Sequence, residues 1–169
     1  MKNIFNLKNR RGNRNSGFTI IEVIVACAII TSTSLILMSS ASKGIELSNR
    51  ALRQSESSML LEEGAEAVKS IRDANWDLIS SLSSDTEYYL YFDTTSNTWS
   101  LSATPSSKID EIFNRSIVLS DVYRDSNDDI AETGYLDEGF KRVVVTVDWQ
   151  NKGEVKSKNL IFYLSNIFN

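Results

Sequence analysis

The chain has 169 residues, which is room for one domain of about 100 residues beside a long helix. Its 22 acidic and 18 basic residues give a formal net charge of −4, which argues against nucleic-acid binding as its main task. Histidine is absent, so the commonest general base at neutral pH and the commonest zinc ligand are both missing. The composition therefore argues against an enzyme, and the single cysteine, Cys27, excludes an intrachain disulfide.

The first 17 residues form a basic leader, and a long apolar run follows them. The leader holds five Lys or Arg residues and no acid, whereas the rest of the chain has 13 basic residues against 22 acidic ones. Residues 23–42 carry no charge, and a span of about 20 mostly apolar residues is long enough to cross the hydrocarbon core of a membrane. Because positive charge accumulates before this span, we expect the N-terminus in the cytoplasm and the body of the chain on the other side.

Glu22 is the one acid in the apolar segment of residues 18–42. A carboxylate inside a membrane helix is costly and normally has a partner, yet no Lys, Arg or His lies within the apolar run. If the chain were cut between Gly17 and Phe18, the new α-amine would supply a cation at a suitable depth, on the same chain or on a neighbouring one. Glu22 is therefore a candidate assembly contact.

Residues 17–23, Gly-Phe-Thr-Ile-Ile-Glu-Val, resemble the class III leader of type IV prepilins and of the pseudopilins of type II secretion. The resemblance implies that a membrane prepilin peptidase cuts after Gly17 and that Phe18 becomes the N-methylated first residue. It also implies that Glu22 pairs with the N-terminal amine of an adjacent subunit while the helices stack into a filament. Leu is frequent in the family at the position that Ile20 occupies here.

Two other interpretations of the N-terminus remain open. A secretory signal peptide would be cleaved after a small-residue site such as the Ser-Ser-Ala at residues 39–41. A plain signal anchor would hold an extracytoplasmic domain at the membrane without cleavage. Neither interpretation accounts for the Gly17-Phe18 step or for Glu22.

The apolar run is predicted to continue outward as a long amphipathic helix to about Trp76. Helix formers dominate this stretch, and it contains no proline. One apolar stripe is expected to pack on the rest of the domain; its members are Ile45, Leu52 and Met59 at seven-residue intervals, followed by Leu60, Ala67, Val68 and Ile71. The Ser and Thr residues at 31–34 and 39–40 mark where helicity is expected to be weakest, which leads to the hypothesis of local melting on assembly.

Beyond Trp76, which is expected to cap the core, the pattern changes to the period of two that is typical of strands. Residues 88–92 and 98–101 predict a hairpin around the turn at residues 93–97. Three longer strands are predicted at residues 113–123, 142–149 and 155–164, with a turn at residues 150–153 between the last two. The predicted fold is α+β, a long N-terminal helix packed on a C-terminal antiparallel β-sheet, as in type IV pilins.

A loop at residues 125–132 offers oxygen ligands. Asp125, Asn127, Asp129 and Glu132 are candidate calcium ligands, although Ile130 stands where such loops usually turn on glycine. The sequence favours a solvated acidic turn without a cofactor, and calcium binding is the alternative.

Together these features predict four segments: a leader at 1–17, a transmembrane and filament-core helix at 18–42, its amphipathic continuation at 43–76, and a β-domain at 77–169. The predicted function is that of a structural subunit of a type IV pilus or pseudopilus, a single-pass inner-membrane protein that becomes part of an extracellular or periplasmic filament. Its expected partners are copies of itself or sibling pilins, prepilin peptidase, the inner-membrane assembly platform and, before assembly, membrane lipid. The alternatives are a minor tip or ligand-binding pilin for adhesion or DNA uptake, and a signal-anchored domain.

Overall fold

The computed structural model describes residues 17–167, so the basic leader up to residue 16 lies outside the described residues. A long helix is followed by a short one and by a sheet, which confirms the predicted α+β fold. The elements are α1 (Ile20–Ala74), α2 (Asp77–Ser80), β1 (Thr86–Asp93), β2 (Thr98–Ser102), β3 (Phe113–Arg124), β4 (Ile130–Ala131), β5 (Tyr135–Asn151) and β6 (Glu154–Ser165). The chain divides into two compact units, the first ending at Ser48 and the second beginning at Asn49.

Within the first unit, α1 passes without a break through the Ser and Thr residues at which it was expected to be weakest. The hydroxyl groups of Thr31, Ser32 and Thr33 bond back to the carbonyls of the preceding turn: Thr31 Oγ1 donates to the Cys27 carbonyl at 2.9 Å, and Thr33 Oγ1 donates to the Ile29 carbonyl at 2.9 Å. Ser42 Oγ donates in the same way to the Met38 carbonyl at 2.9 Å. Because these hydroxyls need no water, the segment is compatible with a hydrocarbon environment. Melting on assembly stays a prediction.

Within the second unit, α1 buries one face. The buried residues follow the alternating three- and four-residue spacing of a helix stripe; they are Ser57, Leu61, Gly64, Ala65, Ala67, Val68 and Ile71. The predicted stripe was right for Ala67, Val68 and Ile71 and wrong at its N-terminal end. Leu52 and Met59 are 56% and 66% exposed, and Ile45 in the first unit is 65% exposed. At about 100° per residue, Leu52 lies roughly 140° around the helix from Ser57, away from the buried row.

The sheet is antiparallel, with strand order β2-β1-β3-β5-β6, and the short β4 pairs with β3. The predicted hairpin is confirmed as β1 and β2. Strand β3 is one residue longer than predicted at its C-terminal end, and β6 is one residue longer at both ends. Strand β5 begins seven residues earlier than predicted, because its first part pairs with β3 beyond a register shift between Asp121 and Val122. Residues 137–139, Asp-Glu-Gly, are of types that are rare in strands, so the sequence predicted a loop in this part of β5.

The core of the second unit lies between α1 and one face of the sheet. Alternate residues of the central strands supply it, among them Ile117, Leu119, Val143, Val145 and Val147, all fully buried. Trp76 is half-buried against this cluster, as predicted. The helix and the sheet lie close together at Gly64, where an added Cβ would lie 2.8 Å from Cγ1 of Val145.

Arg115 is a charged residue within this helix–sheet contact, only 7% exposed. Its guanidinium donates to the Leu60 carbonyl at 3.1 Å, lies 3.3 Å from a Glu63 carboxylate oxygen, and stacks 5.7 Å from the ring centre of Trp99. A buried charge is tolerated when it has both a hydrogen bond and a counter-ion, whereas loss of either partner lowers the free energy of unfolding. Arg115 therefore ties α1 to β3 at a defined register.

Candidate processing and assembly site

The first described residues place the Gly17-Phe18 peptide bond outside secondary structure. Residues 17–19 precede the helix; Gly17 is exposed, and Phe18 is 82% exposed. Helical hydrogen bonding starts at Thr19, whose carbonyl accepts from the Glu22 N–H at 3.0 Å and from the Val23 N–H at 3.2 Å. A protease needs an extended backbone at the bond that it cuts. The Gly17-Phe18 bond lies outside the helix, whereas the peptide bonds of α1 are held in helical hydrogen bonds.

Glu22 lies in the first turn of α1 and is exposed. An acid in that turn interacts favourably with the positive end of the helix dipole. Within the part of the chain that the structure describes, no side chain forms an ion pair or hydrogen bond with its carboxylate. The carboxylate is thus free to accept a cation from outside these residues.

The surface of α1 that follows Glu22 is apolar and uncovered. Of residues 17–167, one helix, α1, is long and apolar enough to cross a membrane, and no residue in its most apolar stretch is buried. The large exposed side chains are Phe18, Ile20, Ile21, Val23, Ile24, Val25, Ile29, Ile30, Leu35, Ile36, Leu37 and Met38. An apolar surface of this extent in contact with water would be strongly unfavourable, so lipid or other helices must cover it.

The acidic loop at residues 125–132 is held by contacts within the protein. Asp125 Oδ1 accepts from the N–H groups of Asn127 and Asp129 at 2.8 and 3.1 Å, which is the geometry of an Asx turn. The Tyr135 hydroxyl donates to Asp128 Oδ1 at 2.6 Å, and this hydrogen bond raises the pKa of Tyr135. Arg124 donates to the Asp128 carbonyl at 2.7 Å.

Arg124 also links this loop to β5. Its Nε donates to Asp137 Oδ2 at 2.5 Å, and this hydrogen bond raises the pKa of the guanidinium. No group of three or more His, Cys, Asp or Glu residues in the described range 17–167 is placed to hold a metal ion. The prediction of a solvated turn without a cofactor and the alternative of calcium binding by Asp125, Asn127, Asp129 and Glu132 both stay predictions.

A comparison with protein-family models identifies the N-terminal segment. Residues 12–38 match the prokaryotic N-terminal methylation motif. The match supports a class III leader of the kind found in type IV prepilins and pseudopilins. The match contains Gly17, Phe18 and Glu22 together with residues 20–38 of α1. Comparison with curated proteins and with solved structures gave no match.

The methylation motif has three general implications for this chain. It implies processing by prepilin peptidase and assembly into filaments. It is consistent with a single-pass membrane-anchored protein, and it points to a structural protein rather than an enzyme. The fold agrees, since a long N-terminal helix before an antiparallel sheet is the architecture of type IV pilins.

Sequence reasoning missed a polar cleft in the second unit. The cleft has a volume of about 490 Å³, and its lining includes Trp76, Asp121, Asp137 and Lys141. Part of it is occupied by an ion pair in which Lys141 Nζ lies 2.5 Å from Asp121 Oδ1. Its lining comes from segments far apart in the sequence, so no local motif could have revealed it.

Proposed function

We propose that this chain is a structural subunit of a type IV pilus or pseudopilus, cleaved after Gly17, N-methylated at Phe18 and polymerised through its N-terminal helix. One observation carries the proposal. An accessible Gly17-Phe18 bond stands directly before an uncovered apolar helix, within a matched methylation motif. Before cleavage the chain is a single-pass inner-membrane protein with its basic leader in the cytoplasm. After cleavage it leaves the membrane for a periplasmic or extracellular filament.

The proposed partners follow from the two environments of the helix. In the membrane, lipid covers the apolar surface of residues 18–38, and prepilin peptidase acts at its cytoplasmic edge. In the filament, copies of this chain or sibling pilins cover the same surface, and an inner-membrane assembly platform carries out the transfer. Both environments are apolar, so the change of partner does not require this surface to be exposed to water.

Glu22 gives the assembly its register. Cleavage converts the Phe18 peptide nitrogen into an amine that is cationic at neutral pH, and N-methylation preserves this charge. A neighbouring Glu22 can then pair with it through a charge-assisted hydrogen bond. In an apolar surrounding the pair is favoured over either charge alone, because an unpaired charge there is costly. A subunit that is misplaced along the filament would leave both charges unpaired.

The proposal is tested by separating cleavage from assembly. In Glu22→Gln the Gly17-Phe18 bond and the apolar helix are unchanged, so we expect normal cleavage. The ion pair is lost and the N-terminal amine is left unpaired in an apolar surrounding, so we expect filament yield to fall by roughly tenfold or more. N-terminal sequencing of the membrane fraction measures cleavage, and the subunit content of sheared filaments measures assembly.

The matched control is Glu62→Gln, which removes an exposed acid from the second-unit part of the same helix. We expect this control to assemble like wild type. Wild-type filament yield from Glu22→Gln would contradict the assigned role of Glu22.

A further inference from the structure

The polar cleft of the second unit lies beside α2 and the irregular first part of β5. Four segments contribute to its lining: the start of α2, strand β3, the first part of β5 and the residue after β6. Its volume of about 490 Å³ falls within the range of about 300–1,000 Å³ that is usual for small-molecule sites. The cleft therefore has room for a small ligand.

Lys141 and Asp121 form a charged pair in the lining of this cleft. Lys141 is 8% exposed, and its ammonium group donates to Asp121 Oδ1 at 2.5 Å. An ammonium group carries three N–H donors, and among the described residues this one makes the single hydrogen bond to Asp121. The other N–H groups can donate to a ligand.

Hydrogen bonds hold the irregular part of β5 in its shape. The two carboxylate oxygens of Asp137 accept from Arg124 Nε at 2.5 Å and from the Gly139 N–H at 3.0 Å. The Asn166 N–H donates to the Gly139 carbonyl at 2.9 Å, which ties the chain after β6 to the same segment. A site that is held in place in this way loses less conformational entropy when a ligand binds.

Two further carboxylates, those of Asp77 and Glu138, line the cleft and are exposed. Within residues 17–167 no ion pair or hydrogen bond engages either carboxylate. An ionised carboxylate is an acceptor, and its hydrogen bonds with hydroxyl or amide donors are charge-assisted. The cleft thus combines acceptors at its exposed side with a donor at its buried side.

The lining also contains apolar surface. Trp76 is half-buried and Leu136 is 47% exposed, and both side chains line the cleft. An aromatic side chain gives a ligand a large rigid apolar contact. A ligand that fits this cleft must therefore present an apolar face together with several polar groups.

A neutral sugar has this chemistry. An apolar ligand would leave the polar groups of the lining without partners, and an anion would be repelled by Asp77 and Glu138. An organic cation would pair with these carboxylates but not with the Lys141 donors. A sugar ring carries C–H groups on its faces and hydroxyl groups at its edge, and an N-acetyl group adds an amide N–H for a carboxylate and a methyl group for Leu136.

We infer that this cleft binds a neutral, N-acetylated sugar. Trp76 and Leu136 contact the apolar face of the sugar, Asp77 and Glu138 accept from its hydroxyl and amide groups, and Lys141 donates to one of its oxygens. The inference goes beyond the proposed function, because the cleft belongs to the second unit and uses none of residues 17–38.

Calorimetric titration of the full chain tests the inference. The chain is purified in a detergent without a sugar headgroup and titrated with tri-N-acetylchitotriose, with its deacetylated, cationic counterpart chitotriose, and with maltotriose. We expect saturable binding of tri-N-acetylchitotriose at millimolar concentration, unchanged by added salt, and several-fold weaker binding of maltotriose.

Three results would overturn the inference. They are no saturable binding of tri-N-acetylchitotriose, equal affinity for maltotriose, and tighter binding of chitotriose that added salt abolishes, which would define a cation site instead. The proposed function is read from the N-terminus of the chain, so failure of this titration leaves that proposal intact.

Substitutions locate the binding. Glu138→Ala and Leu136→Ser should each weaken the binding of tri-N-acetylchitotriose several-fold and leave the melting temperature unchanged, because both side chains are exposed. The matched controls are Glu62→Ala and Leu78→Ser, an exposed acid and a 51% exposed leucine that do not line the cleft. Wild-type affinity in both cleft variants would place the binding elsewhere and overturn the inference.

Discussion

At the scale of single residues, Gly64 shows how tightly α1 approaches the sheet. An added Cβ would lie 2.8 Å from Val145 Cγ1 and 3.1 Å from Arg115 Cδ. Both neighbours are held in place, Val145 by the buried core and Arg115 by its contacts with Leu60 and Glu63. The space beside Gly64 therefore cannot open without displacing the helix.

We predict that Gly64→Ala lowers the free energy of unfolding by about 1–3 kcal/mol, the usual cost of overpacking. Chemical denaturation of the purified chain in detergent measures the change. Gly44→Ala is the matched control, since Gly44 also lies within α1 and a Cβ there meets nothing within 4 Å. Because alanine favours the helix, the control should be neutral or stabilising by up to about 1 kcal/mol. Equal effects of the two substitutions would contradict the close approach.

The acidic loop gives a second prediction at this scale. Asp125 Oδ1 already accepts two backbone N–H groups, so the turn is fixed without a cation. We predict that millimolar calcium leaves the melting temperature of the chain unchanged relative to magnesium or EDTA. A rise in melting temperature that depends on calcium concentration, and that Asp125→Asn abolishes, would establish the calcium site instead.

The roles of individual residues differ in how far the sequence could predict them. Gly17, Phe18 and Glu22 lie within six positions, so one short motif contains both the proposed cleavage bond and the proposed assembly acid. Arg115 meets the Leu60 carbonyl across 55 residues of sequence, and only the folded register of α1 on β3 brings them together. An arginine between polar residues of a strand carries no local sign that it will be buried.

At the scale of elements, the hairpin turn between β1 and β2 contains a titratable contact. Asp93 accepts hydrogen bonds from the Thr95 N–H and the Ser96 hydroxyl, both at 2.8 Å. These bonds, the one from Thr95 foremost, lower the pKa of Asp93 below its ordinary value. The folded chain therefore favours the ionised carboxylate.

We predict a specific pH dependence for Asp93→Asn. With a pKa in the folded state below the value of about 3.9 in unfolded chains, the contribution of Asp93 is fully present above that value and is lost as the pH falls through the folded pKa. Wild type should be more stable than the variant by a constant amount above about pH 5, and the difference should shrink below about pH 4. Urea titrations at several pH values measure it, and a difference that does not change with pH would contradict the assigned contact.

The elements also show where the periodicity of apolar residues is sufficient to predict the structure and where it is not. Alternation in the sequence predicted the bounds of β3 and β6 to within one residue at each end, because side chains of a strand point alternately to two faces. In the helix two patterns each predicted a buried face. One was the seven-residue repeat of Ile45, Leu52 and Met59, which is exposed, and the other was the three- and four-residue spacing of the row that is buried. Both patterns are helical, and only the position of the sheet decides which of them is covered.

At the scale of the whole molecule, the two units obtain their stability in different ways. The second unit has its own core, with strand residues packed against the inner face of the helix. The first unit exposes its apolar side chains, and in the described part of that unit none of the residues is buried. Its environment must therefore come from outside the chain, which is the physical reason why this protein is expected to exist in a membrane or in an assembly.

The most direct test of this account is the mass and N-terminal sequence of the chain isolated from its native membrane and from sheared surface material. The account predicts a chain that begins at Phe18, carries one additional methyl group on its amine and occurs in both fractions. A Gly17→Asp variant should remain in the membrane with its leader attached. A wild-type chain that begins at Met1, or after Ala41, would contradict the account and leave an anchored or secreted domain in place of a filament subunit.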